Sequence, residues 1–95
     1  MIRVSVFYPS AEGATFDHDY YREKHVPLCL KSWGLETAEI DKGIDGPYEA
    51  AVHLTFESLE AMGAAMGSPG TGEVMADIAN YTSIGPVLQT SEIVS

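Results

Sequence analysis

Two spacings of apolar residues alternate along this chain of 95 residues, and their order limits the folds that it can adopt. Residues 2–8 and 48–56 place apolar side chains mainly at every second position, which is typical of strands that bury one face. Residues 18–32 and 58–66 follow the spacing of a helix instead. Weaker patterns add a strand, a short helix and a last strand at 35–44, 73–80 and 86–94. The resulting order is βαββαβ.

This order favours a ferredoxin-like α+β fold, with one domain over residues 1–95 and the helices on one face of a four-stranded antiparallel sheet. The opposite face of the sheet stays uncovered. The second parity of the strands assigns to it a mixed set of side chains: Ser5, Phe7, Ala51, His53 and Thr55. A chain of this length buries only about 60–65% of its unfolded surface, so a partner would add a missing core. We therefore expect a homodimer that covers this face.

Composition excludes several classes of partner. The net charge is −9 and only five residues are Lys or Arg, which argues against nucleic acid and against an anionic membrane. The single cysteine, Cys29, cannot form an intramolecular disulfide and fits a reducing compartment. The opening residues 1–8 are too short and too alternating for a signal peptide, and no later run has the length of a membrane span. We expect a cytoplasmic protein.

Residues 16–28 place several chemically versatile side chains on the first predicted helix. Asp17 is a suitable N-cap. It lies eight residues before His25, and Tyr21 lies four before it, so the three project from about one helix face. Tyr20 points about 100° away from Tyr21 around the helix. Imidazole transfers protons near neutral pH, a tyrosine hydroxyl can orient an oxygen, and an acid can fix a histidine tautomer. The pattern predicts a proton-transfer site at His25, with Tyr21 or Tyr20 as the second group.

The same residues also allow a purely structural interpretation. Asp17 has sufficient reason to be present as a helix cap, and Tyr21 fits a core position. Pro27 has no N–H for the carbonyl of Glu23 and should bend or loosen the helix just after His25. In this interpretation His25 satisfies the carbonyl that Pro27 leaves free.

Three further side chains are candidate ligand contacts. His53 and Phe7 lie on the mixed parity of their strands, near the interior that a dimer would enclose, and Trp33 ends the first helix. The three histidines, at positions 18, 25 and 53, lack the compact spacing of a zinc site, and no glycine-rich loop has the lysine of a phosphate site. We therefore expect neither a metal nor a cofactor. Haem stays open as an alternative, since one histidine suffices as an axial ligand.

Several short runs occur together in one order. The first group is Tyr8-Pro9, Gly13, Phe16-Asp17, Tyr20-Tyr21, His25 and Pro27-Leu28. The later runs are His53-Leu54, Phe56 to Ala61, Asp77-Ile78, Asn80 to Thr82 and Pro86 to Val94. In combination they resemble the EthD family, named for a protein of ethyl tert-butyl ether degradation, within the dimeric α+β barrel superfamily. The resemblance spans nearly the whole chain. It departs at Pro69-Gly70, where related sequences often carry Pro-His.

The resemblance implies a homodimer formed through the sheet face and the C-terminal strand, with His25 near the mouth of a pocket for a small apolar or aromatic molecule. Its superfamily includes cofactor-free monooxygenases, isomerases, cyclases, dehydratases and haem enzymes, so the scaffold alone fixes no reaction. Two functions stay open. One is binding without turnover, as an accessory to the degradation or tailoring of apolar compounds. The other is a cofactor-independent oxygenase, isomerase or dehydratase in which His25 is the general acid or base.

Overall fold

The sheet of the computed structural model, which describes residues 1–95, has four antiparallel strands in the order β2-β3-β1-β4. The strands are β1 (Ile2–Pro9), β2 (Glu39–Lys42), β3 (Tyr48–Phe56) and β4 (Val87–Glu92). All helices pack on one face of this sheet. The βαββαβ order and the ferredoxin-like fold predicted from the sequence are confirmed.

The helices form two regions, one between β1 and β2 and the other between β3 and β4. The first region contains α1 (His18–Tyr20), a π-helical turn (Tyr21–His25) and α2 (Val26–Trp33). The second contains α3 (Leu59–Met66), α4 (Gly70–Asp77) and a 3-10 turn (Ile78–Asn80). None of these helices combines the length and the apolar content that crossing a bilayer requires.

The two faces of the sheet differ as the parity of the strands predicts. Val4, Tyr8 and Leu54 point toward the helices and are almost fully buried in one core cluster. The other face carries Ser5 opposite His53, and Phe7 opposite Ala51, in the pairing of β1 with β3. Neighbouring strands add acidic and polar residues to that face at Glu39, Asp41, Gln89 and Ser91. One face is therefore a core, and the other has no covering layer within the chain.

The first helix departs from α-helical hydrogen bonding before His25, not after it as the sequence suggested. The N–H of Val26 donates to the carbonyl of Tyr21, five residues back, which defines the π-helical turn. Pro27 follows at the start of α2 and cannot donate an N–H. The irregular hydrogen bonding of the first helix therefore lies in the turn that contains Tyr21 and His25.

Two element boundaries differ from the sequence expectation. Strand β2 covers only four exposed residues, because it is an edge strand with one neighbour and a weak apolar pattern. Helix α4 begins at Gly70, three residues before the expected start at Glu73. Pro69 already has helical backbone angles, and Gly70 lies so close to α2 that an added Cβ would be 2.8 Å from Cβ and Oγ of Ser32. Glycine at this position permits the close approach of the two helices.

We predict opposite effects of alanine at two glycines of α4. Gly70→Ala should lower the free energy of unfolding by about 1–3 kcal/mol, because the new methyl group overlaps Ser32. Gly72→Ala should raise it by up to about 1 kcal/mol, since its Cβ meets nothing within 4 Å and alanine favours the helix. Urea unfolding of both variants measures the effect. Equal stability of the two would show that the contact of α4 with α2 tolerates a methyl group.

Candidate active site between helices and sheet

A cavity of about 40 Å³ lies between the helix layer and the covered face of the sheet. Its wall is almost wholly apolar, with contributions from the sheet and from both helical regions. The lining residues are Val4, Val6, Tyr8, Tyr21, His25, Cys29, Trp33, Val52, Leu54, Met66, Val74, Met75, Ile78, Pro86 and Leu88. His25 is the only one of them whose residue type has an ordinary pKa near neutral pH.

His25 is held by a carboxylate from the other helical region. Its Nδ1 lies 2.9 Å from Oδ2 of Asp77 at the end of α4, and the two side chains are 4% and 14% exposed. The carboxylate accepts, so the proton resides on Nδ1, and Nε2 is an acceptor that makes no hydrogen bond within the chain. The ring stacks on Tyr21 at a centroid distance of 5.4 Å.

Asp77 is itself fixed by two more donors. Its Oδ1 accepts from the hydroxyl of Tyr20 at 2.7 Å and from Nδ2 of Asn80 at 2.9 Å. The carboxylate also borders a groove on the outer surface, beside Leu28 and Glu73. The pair of His25 and Asp77 therefore reaches from the wall of the cavity to the surface of the helix layer.

The surroundings favour a neutral imidazole beside a charged carboxylate. Burial lowers the pKa of His25, and the nearby Asp77 opposes this shift without cancelling it. Burial also acts to raise the pKa of Asp77, but hydrogen bonds from Asn80, Tyr20 and His25 outweigh it, so this pKa lies below its ordinary value. At neutral pH the pair is thus a carboxylate that orients an uncharged base.

The other polar groups around the cavity stay protonated. The hydroxyls of Tyr8 and Tyr81 share a hydrogen bond of 2.7 Å, and burial raises the pKa of both. The hydroxyl of Tyr21 is buried without a hydrogen-bond partner, and burial raises its pKa as well. Burial raises the pKa of the Cys29 thiol to about 12. None of these groups is a base or a thiolate nucleophile near neutral pH.

The structure brings together only some of the candidate residues named from the sequence. His25, Tyr21 and Trp33 all line the cavity. Tyr20 points elsewhere and contacts the site through Asp77. Asp17 caps the first helix by accepting from the N–H of Tyr20 at 3.0 Å, and it makes no hydrogen bond with His25. The acid that the sequence placed at Asp17 is therefore supplied by Asp77.

The remaining two candidates, His53 and Phe7, lie on the opposite face of the sheet. His53 contacts Oγ of Ser5 through Nδ1 at 2.8 Å and Oδ2 of Asp41 through Nε2 at 3.0 Å. The ring of Phe7 packs on Tyr48 with centroids 4.8 Å apart. Both residues are separated from His25 by the sheet, so they do not belong to the cavity.

Sequence reasoning missed Asp77 and Asn80 as site residues. Asp77 follows His25 by 52 positions, and their contact depends on how α4 packs against α2. The only available signal was indirect, since both residues fall in short runs that supported the family resemblance. A pairing of this kind requires the tertiary structure.

Fold and cavity together define a ferredoxin-like α+β domain with an apolar internal site. The family model of the EthD domain matches residues 11–85, so the chain belongs to the EthD family. A protein of Rhodococcus erythropolis, described as an uncharacterized 11.0 kDa protein in the thcB-thcC intergenic region, is 35% identical over 91 residues. The alignment covers 90% of this chain and 87% of that protein.

Solved structures agree with this assignment. An EthD-like protein of Ralstonia eutropha is 40% identical with a TM-score of 0.90, covering 99% of this chain and 92% of the other. An ethyl tert-butyl ether degradation (EthD) family protein of Bacillus halodurans has 17% identity and a TM-score of 0.78, with 99% of each chain covered. A dimeric ferredoxin-like protein of unknown function from Thermobifida fusca has 16% identity and a TM-score of 0.63, covering 97% and 90%. The last two comparisons concern the fold alone.

We predict that His25 makes the protein less stable in mild acid. The folded state holds this imidazole neutral, while the unfolded chain takes up a proton below about pH 6.5. The unfolded state then binds more protons, so the free energy of unfolding should fall as the pH decreases from about 6.5 toward the pKa of folded His25. One such group contributes at most about 1.4 kcal/mol per pH unit.

The comparison variant is His25→Gln, which cannot titrate. Urea unfolding of both proteins from pH 7.5 to 5 should give a steeper loss for the wild type. Asp77 does not contribute to the pH dependence in this range, because its pKa in the folded protein lies below the ordinary value of an aspartate. Parallel curves for the two proteins would contradict the assignment of a neutral His25.

Proposed function

We propose that the protein binds a small, largely apolar organic molecule in the cavity and that His25 exchanges a proton with it, without a cofactor. The observation that carries the proposal is the setting of His25. Its Nδ1 is held by Asp77, its Nε2 makes no hydrogen bond within the chain, and its ring lines an apolar cavity. An oriented, neutral imidazole of this kind is well suited to general acid and base catalysis.

The simplest such reaction is enolisation of a bound carbonyl compound. Nε2 of His25 takes a proton from the carbon next to the carbonyl, and the C–H electron pair moves to give an enolate. The imidazolium that forms is stabilised by Asp77, which Tyr20 and Asn80 hold in place. We assign the unpartnered hydroxyl of Tyr21 as a donor to the enolate oxygen. Return of the proton to a different carbon would give an isomer.

Binding without turnover is the second candidate function. It is supported by the wall of the cavity, in which apolar side chains far outnumber polar ones. The name of the relative from Rhodococcus erythropolis places its gene between two others, which suits an accessory to partner enzymes. The family of the relative from Bacillus halodurans is named for ethyl tert-butyl ether degradation, which suits apolar compounds as ligands.

The protein acts, in our proposal, as a homodimer whose sheets face one another. On the uncovered face, Ser5 and Ala51 are only 4% and 6% exposed even without a partner. Phe7 beside them is half-buried, and no other part of the chain covers its ring. Strand β4 also has one free edge, and its Val87, which pairs with Phe7 on this face, is 51% exposed. A second copy would cover the apolar part of this face around Phe7. The structural relative from Thermobifida fusca is described as dimeric, which supports the same arrangement.

We predict that the protein catalyses exchange of hydrogen with solvent at carbons next to a carbonyl. Cyclohexanone in D2O, followed by NMR, should lose these hydrogens faster with the protein than in buffer alone. His25→Gln should reduce this rate by roughly 100-fold or more, because general base catalysis contributes about 10²–10⁴-fold. Asp77→Asn should reduce it less, since the base remains but its orientation and its imidazolium form are less well supported.

His53→Gln is the matched control, because it removes an imidazole from the opposite face of the sheet and should leave exchange unchanged. A rate equal to that of buffer for the wild type, with cyclohexanone bound, would favour binding without turnover. An equal loss in both histidine variants would contradict the assignment to His25.

We predict that a charge at Phe7 separates the dimer. Phe7→Asp adds a carboxylate to the face that already carries Glu39 and Asp41, where burial of an unpaired charge is costly, so the variant should sediment as a monomer. Leu59→Asp is the control, because Leu59 is 61% exposed on α3, on the other side of the sheet, and should not alter assembly. Sedimentation equilibrium gives the mass, and circular dichroism verifies the fold. A dimeric Phe7→Asp protein would exclude this face as the interface.

A further inference from the structure

We infer that the cavity selects neutral, compact molecules that carry one hydroxyl, which donates to Nε2 of His25, and that these molecules enter between Met75 and Leu88. The inference rests on the part of the proposed function that both candidates share, the binding of a small, largely apolar molecule in the cavity. It adds to that binding a ligand class, a contact and an entrance.

The charge of the ligand follows from the wall of the cavity. It contains no Lys, Arg, Asp or Glu side chain, and its one imidazole is neutral. The nearest charge is the carboxylate of Asp77, behind the His25 ring, which would repel an anion. A cation would lose its hydration to an apolar wall without direct contact to that carboxylate. Burial of an unpaired ion is far more costly than burial of a neutral hydroxyl that finds a partner.

We infer a hydroxyl on the ligand because one nitrogen of His25 is an acceptor without a donor. Nδ1 of His25 is occupied by Asp77, whereas Nε2 accepts nothing from the chain. A ligand without a donor would displace water from this nitrogen and leave it unpaired. A ligand with a hydroxyl restores the hydrogen bond, and a net gain of that kind corresponds to about tenfold in affinity.

The entrance follows from the exposure of the lining residues. Only two of them are exposed, Met75 at 46% on α4 and Leu88 at 53% on β4. The cavity of about 40 Å³ is much smaller than the engineered cavity of about 150 Å³ that binds benzene, so a six-membered ring needs additional room. The flexible thioether side chain of Met75 can supply it by moving outward. Met75 therefore limits the size of the ligand.

Trp33 provides a direct measurement, since it is the only tryptophan and it lines the cavity. Its fluorescence is titrated with cyclohexanol, methoxycyclohexane and cyclohexanecarboxylate, which share a ring and differ in the polar group. We expect cyclohexanol to bind about tenfold more tightly than the ether, and the carboxylate to bind least. In His25→Leu the alcohol and the ether should bind equally.

Size selection is tested with a bulkier alcohol, 1-adamantanol. Met75→Ala should increase the affinity for 1-adamantanol relative to cyclohexanol. Met62→Ala, a core-packed methionine of α3 that does not line the cavity, should leave this ratio unchanged. An unchanged ratio in Met75→Ala would overturn the assignment of the entrance.

The outcomes separate this inference from the function on which it rests. Equal binding of alcohol and ether to the wild type, or binding of the carboxylate as tight as that of the alcohol, overturns the ligand class but leaves small-molecule binding intact. Absence of any fluorescence change with all four compounds, together with unchanged thermal stability, overturns both.

Discussion

The hydrogen bond between His25 and Asp77 joins the two helical regions at the cavity, and the rest of the site depends on it. It fixes the tautomer of the imidazole, and it uses a carboxylate whose other oxygen is already held by Tyr20 and Asn80. Because α4 approaches α2 closely at Gly70, the carboxylate at the far end of α4 lies within reach of the imidazole. The close contact of α4 with α2 at Gly70 therefore helps to position Asp77, at the other end of α4, for its hydrogen bond with His25.

Much of the fold was predictable from the sequence, because two strands carry an alternating pattern that only one register satisfies. β1 and β3 were predicted with nearly their observed bounds for this reason. The short edge strand β2 and the start of α4 were less predictable. An edge strand needs little apolar pattern, and a run of glycine and proline indicates a break even where helix packing requires glycine.

The candidate site was predictable only in part, and the reason is physical. His25 and Tyr21 are four residues apart on one helix, so local geometry suffices to place them together. Asp77 meets His25 through the packing of separate elements, which no local pattern encodes. For His53 the local pattern was sufficient to predict its face but not its role. The alternation along β3 correctly predicted that it lies on the uncovered face, and that face does not line the cavity. Residue type alone does not distinguish an oriented base inside the fold from a histidine that bridges Ser5 and Asp41.

The π-helical turn at Tyr21–His25 has a consequence for how this helix can vary between related proteins. Such a turn is one residue longer than an α-helical turn, so it shifts the phase of the side chains before it relative to those in α2 by about 100°. Tyr20 is thereby set on the side of Asp77, while Tyr21 and His25 share the cavity wall. A relative that lost one residue within this turn could keep every site side chain and still have its first tyrosine directed away from the carboxylate. The length of the segment before Pro27, as much as its residue types, therefore preserves the site.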